Sequence, residues 1–300
     1  MNSLNIKSII KRRFLDARVQ LLVPKLALTL PSTSLVIEAI NKMVEKKVGS
    51  IVLTSNLNAN VGIFTERDVL IGFGKFGKGF LNKSVSDFMS SPIESHSSIG
   101  SIARAIFTMS DRGFRHLGVN LPNQQLGIIS VKDILDFLYK VLTKKIVENE
   151  FSTYFDDNSV DLFFLSQIKS LVPKNCLWVS RNTTLEQTIS KMNANKVGCV
   201  LVGEDNKLLE GIFTERDFLQ VASEVSTTLD TVTVGACMTA NPKTATANSS
   251  VALVMNMMCE NGFRHIPVVD EYEKLMGILS VRDFFDYLAS HILLELNQTP

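Results

Sequence analysis

The sequence predicts an α+β fold assembled from four copies of one βαββα unit, and three observations lead there. The run Gly62-Ile63-Phe64-Thr65-Glu66-Arg67-Asp68 returns unchanged as Gly211-Ile212-Phe213-Thr214-Glu215-Arg216-Asp217, position 62 becoming position 211 in a chain of 300 residues. Looser copies, Gly127-Ile128-Ile129-Ser130-Val131-Lys132-Asp133 and Gly277-Ile278-Leu279-Ser280-Val281-Arg282-Asp283, show that each half is itself doubled. Between the copies, apolar residues switch from helical to strand spacing in the same order each time.

Within the first copy, Leu35, Ile37, Ala39, Ile40 and Met43 fall on one helical face after Thr33-Ser34, which reads as the N-cap. Ser50 to Thr54 is short, apolar and β-branched, Ser55 to Asn60 is a polar turn, and Val61 to Phe64 is a second short strand. Thr65 and Asp68 then open a second helix through Val69, Leu70 and Ile71. With its opening strand, the unit exposes one face of a three-stranded sheet, so adjacent copies are expected to pair sheet to sheet as two modules. The boundaries are 1–150, holding copies at about 20–80 and 84–142, and 151–300, holding copies at about 169–228 and 233–293. The halves stay in register elsewhere too: Leu22-Val23-Pro24-Lys25 answers Leu171-Val172-Pro173-Lys174, and Gly113-Phe114-Arg115-His116 answers Gly262-Phe263-Arg264-His265.

Composition narrows the function classes. A hydrophobic content of 45% supports a sizeable core, and a formal charge of +1 provides no field for nucleic acid or an anionic membrane. No apolar run has the length of a membrane span, and a cytoplasmic protein is expected. Cys176, Cys199, Cys237 and Cys259 form no Cys-x-x-Cys pair and read as reduced, buried thiols. Lys11, Arg12 and Arg13, set among Ile9, Ile10, Phe14 and Leu15, read as part of a packed helix. Gly72-Phe73-Gly74-Lys75-Phe76-Gly77 spells G-x-G-x-x-G, but it follows a helix rather than a strand. It reads as a flexible connector, with a lid over a phosphate as the lesser option. Met255, Met257 and Met258 read as core filling.

Two chemistries fit the repeated Thr/Ser-x-x-Asp. A carboxylate accepts from both hydroxyls of a ribose, with a hydroxyl one turn earlier and a helix N-terminus beside it for phosphate. The same spacing also makes a capping box. One difference between odd and even copies bears on the choice. Arg115-His116 stands where the first copy has Gly49-Ser50, and Arg264-His265 where the third has Gly198-Cys199. A scaffold that only capped helices would not need that charge, although a salt bridge at the module seam would also account for it. Arg67, Lys132, Arg216 and Arg282 read as solvated first-turn residues, with a ligand role as the alternative, and Glu66 and Glu215 point too far from Asp68 and Asp217 on their helices for acid–base chemistry.

The chain resembles the cystathionine-β-synthase (CBS) domain, in four copies forming two Bateman modules. The likeness rests on the four motifs, on Phe114 to Val119 and Phe263 to Val269, and on the openers Asp87 to Pro92 and Ala236 to Thr239; it covers most of residues 20–293. It implies a regulatory protein rather than an enzyme, with no catalytic or metal site, binding AMP, ADP or ATP in clefts between paired copies. Carried onto this chain, the ligand contacts are Thr65, Asp68, Arg115, His116, Ser130, Asp133, Thr214, Asp217, Arg264, His265, Ser280 and Asp283. Occupancy would pass to a protein partner, with a homodimer through the modules as one assembly. The stretch from Thr143 to Ser170 would decide whether two modules close within one chain. The alternatives are a ligand-free docking module and a sensor of S-adenosylmethionine, which has no phosphate for the Arg-His pairs.

Overall fold

A computed structural model describes residues 17–56, 59–143, 166–171, 176–204, 208–224 and 228–296. The basic N-terminal segment and most of the stretch between the halves lie outside the described residues, as do Val172 to Lys174. Four small sheets with helices make an α+β fold, and each copy repeats one element order.

After a short β1 (Lys25–Leu26), the first copy runs β2 (Thr29–Pro31), α1 (Val36–Glu45), β3 (Ser50–Thr54), β4 (Asn60–Thr65) and α2 (Glu66–Phe76). The second runs β5 (Ser95–Ser97), α3 (Ile102–Asp111), β6 (His116–Asn120), β7 (Leu126–Ser130) and α4 (Val131–Thr143). The third runs β8 (Trp178–Val179), α5 (Leu185–Ala194), β9 (Cys199–Glu204), β10 (Leu208–Thr214) and α6 (Glu215–Ser223), followed by the short α7 (Val234–Cys237) and β11 (Thr239–Ala240). The fourth runs β12 (Ala245–Thr246), α8 (Val251–Asn261), β13 (His265–Val269), β14 (Leu275–Ser280) and α9 (Val281–Leu296). In each copy the opening strand runs parallel to the next, as with Leu30 opposite Leu53, and the last two strands are antiparallel, as with Val52 opposite Ile63.

The opening segment of one copy also serves the sheet of another. β1 pairs antiparallel with β7, Ser90 bridges Ile63, and β11 pairs with β10, so two of the four sheets have four strands rather than three. The motif glycine is what admits the visitor. A Cβ on Gly62 would lie 2.5 Å from Met89 Sδ and 2.9 Å from the Ser90 carbonyl, and one on Gly211 would lie 2.3 Å from Met238 Sδ.

The chain divides into two compact units: Ala27–Ile93 with Asn175–Lys243, and Met1–Leu26 with Glu94–Lys174 and Thr244–Pro300. The first holds copies one and three, here the odd pair; the second holds copies two and four, the even pair. In the odd pair, α1 and α2 pack on α5 and α6 around Ile40, Met43, Leu70, Phe73, Ile189, Met192 and Phe218, with Phe73 edge-on to Phe218 at 5.1 Å. In the even pair, α3 and α4 pack on α8 and α9 around Ile106, Met109, Ile134, Val254, Met258 and Phe285. Met255 and Met258 are buried and Met257 packs against the same core, as their spacing foretold.

Three local expectations need correction. The N-cap of α1 is Leu35, not Thr33 or Ser34: Glu38 reaches back to the Leu35 N–H at 2.9 Å, while the Ser34 carbonyl accepts from the Val85 N–H. The glycine run is no connector, because α2 continues through Gly72 and Gly74. Their missing side chains make room: a Cβ on Gly72 would meet the Phe80 ring at 2.1 Å, and one on Gly74 would meet Asn193 Nδ2 at 2.2 Å. Helical spacing therefore holds across residues that a local reading takes as breakers. Of the cysteines only Cys199 is buried. Burial pushes the Cys176 thiol up to about 11, and burial with the adjoining Asp136 pushes Cys259 up to about 12, so neither is thiolate at neutral pH.

Candidate functional site

All four copies make the same cap. Asp68 Oδ2 accepts from the Thr65 N–H at 2.8 Å and from Thr65 Oγ1 at 2.7 Å. Asp217 Oδ2 takes both bonds from Thr214 at 2.8 Å, Asp133 Oδ2 takes them from Ser130 at 2.8 and 2.6 Å, and Asp283 Oδ2 takes them from Ser280 at 2.7 Å. The hydroxyls of Thr214, Ser130 and Ser280 accept in return from the backbone N–H of their aspartates. A strand ending one residue before a helix needs this, since its first N–H groups have no intrahelical acceptor. The cap engages one carboxylate oxygen and leaves Oδ1 outside it, so capping and ligand contact do not compete for the same atom. Burial pushes the Asp68 and Asp217 carboxyls above the ordinary 3.8, against the bonds from Thr65 and Thr214 that pull them down.

The even pair encloses a cavity of about 480 Å3, its open mouth included. Arg115, His116, Ser130, Val131 and Lys132 line it from the second copy, and Arg264, His265, Ser280, Val281 and Arg282 from the fourth. Six of these ten residues are basic types and none is acidic. The repeat explains the convergence. The Val131 N–H donates to the Arg115 carbonyl at 3.1 Å and the Val281 N–H to the Arg264 carbonyl at 2.9 Å, so each Arg-His strand start is tied to the N-terminus of the helix that follows the motif. The N-termini of α4 and α9 thus join two Arg-His pairs in one pocket, where the positive ends of two helix dipoles and the basic side chains both favour an anion.

Six sequence-chosen residues therefore meet: Arg115, His116, Ser130, Arg264, His265 and Ser280. Asp133 and Asp283 cap the helices but do not line the cavity, and Asp133 Oδ1 lies 3.6 Å from the exposed Lys25 Nζ. Thr65, Asp68, Thr214 and Asp217 belong to the odd pair. The resemblance places clefts between the two copies of a module, whereas this cavity takes its walls from copies two and four, one in each half.

Four residues carry more than their spacing suggested. Lys132 and Arg282 line the cavity rather than facing only solvent. In the odd pair, Glu66 and Glu215 are each 3% exposed, with Arg216 Nε 3.3 Å from Glu66 Oε1 and Arg67 Nη1 2.8 Å from Glu215 Oε1. The available signal was the contrast between Thr-Glu-Arg-Asp in odd copies and Ser-Val-Lys/Arg-Asp in even ones.

The CBS domain family model matches residues 22–73, 168–224 and 234–290, more than half of the chain. The chain belongs to the CBS domain family. The matched stretches fall on the first, third and fourth CBS copies, and the second is placed by its identical element order. CBS domain-containing protein CBSCBSPB5 of Arabidopsis thaliana is 25% identical over 279 residues, covering 85% of this chain and 50% of the relative, so the chain spans about half the length of that relative. Protein MJ1225 of Methanocaldococcus jannaschii is 26% identical over 196 residues, covering 63% of this chain and 65% of that protein. Its crystal structure, described as that of a proposed archaeal homolog of g-AMPK, superposes with a TM-score of 0.72 at 20% identity, over 91% of this chain and all of that one. An uncharacterized conserved protein from Pyrococcus horikoshii superposes at 0.58 with 16% identity, over 91% of this chain and 100% of its own. These superpositions establish a shared fold.

Among the described residues, no group of three or more His, Cys, Asp or Glu side chains could hold a metal ion, and no helix is long and apolar enough to cross a membrane.

Proposed function

We propose that this CBS protein is a regulatory sensor of adenine nucleotides, taking AMP, ADP or ATP by its phosphates in the even-pair cavity and passing occupancy to a protein partner. One observation carries this: six basic residue types and two helix N-termini line a single cavity that has no carboxylate on its walls. A phosphate group supplies the charge that such a lining lacks. S-adenosylmethionine brings a sulfonium cation and no phosphate, so the same lining disfavours it. Regulation then requires only that the helix packing around α3, α4, α8 and α9 differ in its affinity for the nucleotide. The module boundaries at 1–150 and 151–300, a cytoplasmic setting and a homodimer through the modules belong to the same proposal, and the description of MJ1225 as a proposed homolog of g-AMPK is consistent with it.

Isothermal titration with AMP, ADP, ATP and S-adenosylmethionine tests the reading. Nucleotide binding is expected, weakened about tenfold to a hundredfold in Arg115→Ala plus Arg264→Ala. Silence with every nucleotide would leave a docking module, and heat from S-adenosylmethionine alone would replace the ligand.

A further inference from the structure

The odd and even pairs meet one electrostatic demand in two ways. In the odd pair, Arg67 Nη1 donates to the Val197 carbonyl at 2.9 Å and lies 2.8 Å from Glu215 Oε1. In the repeat, Arg282 stands where Arg67 stands, Phe114 where Val197 stands, and Val131 where Glu215 stands. The backbone contact is reproduced, since Arg282 Nη1 donates to the Phe114 carbonyl at 3.0 Å. The carboxylate is not reproduced, and in its place the cavity opens beside Val131. The second contact behaves alike. Arg216 Nε faces Glu66 Oε1 at 3.3 Å, whereas its counterpart Lys132 faces a cavity walled by Val281, the counterpart of Glu66.

The buried glutamates are costly in isolation and persist because each meets a guanidinium across the pair. The even pair keeps the cations and drops both carboxylates. Arg282 and Lys132 are each held from outside the cavity by an acid one turn on, Asp286 at 2.8 Å and Asp136 at 2.5 Å. Those contacts fix where the cations point without placing an anion on the cavity wall.

Building on the proposed sensor function, we infer that Glu66 and Glu215 are internal stand-ins for the ligand's anionic groups: they mark the places beside Lys132 and Arg282 that two phosphate groups take in the even cavity, and they keep such a ligand out of the odd pair. The ligand class that fits is a nucleoside polyphosphate, and Arg282 and Lys132 join Arg115, His116, Arg264 and His265 as its contacts.

The test converts the even pair to the odd design with Val131→Glu plus Val281→Glu, against Val131→Gln plus Val281→Gln as a control of equal size without charge. ATP and inorganic pyrophosphate are titrated into both, and melting is followed at low salt without ligand. The Glu pair is expected to bind both probes at least about tenfold more weakly than the Gln pair and to melt at a higher temperature. Equal binding by the two variants overturns the inference. If the wild-type protein binds neither probe, the sensor function has failed, and melting still decides this point: a Glu pair melting no higher than the Gln pair overturns it too.

Discussion

Arg67 Nη1 lies 2.8 Å from Glu215 Oε1 while the same guanidinium donates to the carbonyls of Val197 and Lys196, at 2.9 and 2.8 Å. One side chain thus holds the turn that follows α5 in another copy and neutralises the carboxylate that opens the next helix. The reciprocal pair, Arg216 with Glu66, is longer at 3.3 Å and more exposed, 43% against 27% at the arginine. Glu215→Gln should therefore cost more stability than Glu66→Gln. Both should fall at about 1–3 kcal/mol in urea denaturation, because a cation loses its counter-charge in a partly screened site. The opposite ranking would assign no weight to the shorter contact.

Gly62 and Gly211 serve packing rather than ligand chemistry. A Cβ there meets Met89 or Met238 sulfur and, behind it, a backbone carbonyl at 2.9 or 3.0 Å that cannot rotate away. Gly62→Ala and Gly211→Ala are each expected to lose about 1–3 kcal/mol. Shortening Met89 to Ala in the Gly62→Ala background should restore only part of the loss, since the Ser90 carbonyl remains. Full recovery in the melting curve would make the sulfur the whole obstacle.

Much of this fold was legible because its information is local: the repeated motif, the helical and strand spacings and the caps each need only neighbouring residues. The Arg-His asymmetry between copies was legible for the same reason, and it located four residues of the cavity, with Ser130 and Ser280 supplied by the repeated motif. Which copies share a core was not, because the decision lies in helix faces such as those of Phe73 and Phe218, whose apolar character would suit several pairings. Glu66 and Glu215 looked like ordinary first-turn acids. Their meaning depends on Arg216 and Arg67, about 150 positions away, and no spacing rule reaches across copies.

The pH dependence has a definite sign. Burial raises the carboxyls of Asp68 and Asp217 above 3.8, so the folded chain binds their protons more tightly than the unfolded chain does. Stability contributed by these groups then falls as pH rises through the raised values and returns as pH is lowered toward 3.8. Compared with Asp68→Asn plus Asp217→Asn, the wild-type protein should gain stability on acidification across that window. A wild-type stability that falls relative to the variant's in urea denaturation at successively lower pH would contradict it.

Capping and binding can be separated by comparing equivalent hydroxyls. Thr214 and Ser130 each donate to the second oxygen of their aspartate and accept from its backbone N–H at 3.3 Å, so removing either hydroxyl costs the same local cap. Only Ser130 lines the basic cavity. Thr214→Ala and Ser130→Ala should therefore each lower stability by about 1 kcal/mol. Titration with ATP should distinguish them: affinity is retained in Thr214→Ala and falls severalfold in Ser130→Ala, where the lost cap loosens the N-terminus of α4 at the cavity wall. Equal affinities in the two variants would confine Ser130 to the cap and move the phosphate contacts wholly onto the basic side chains.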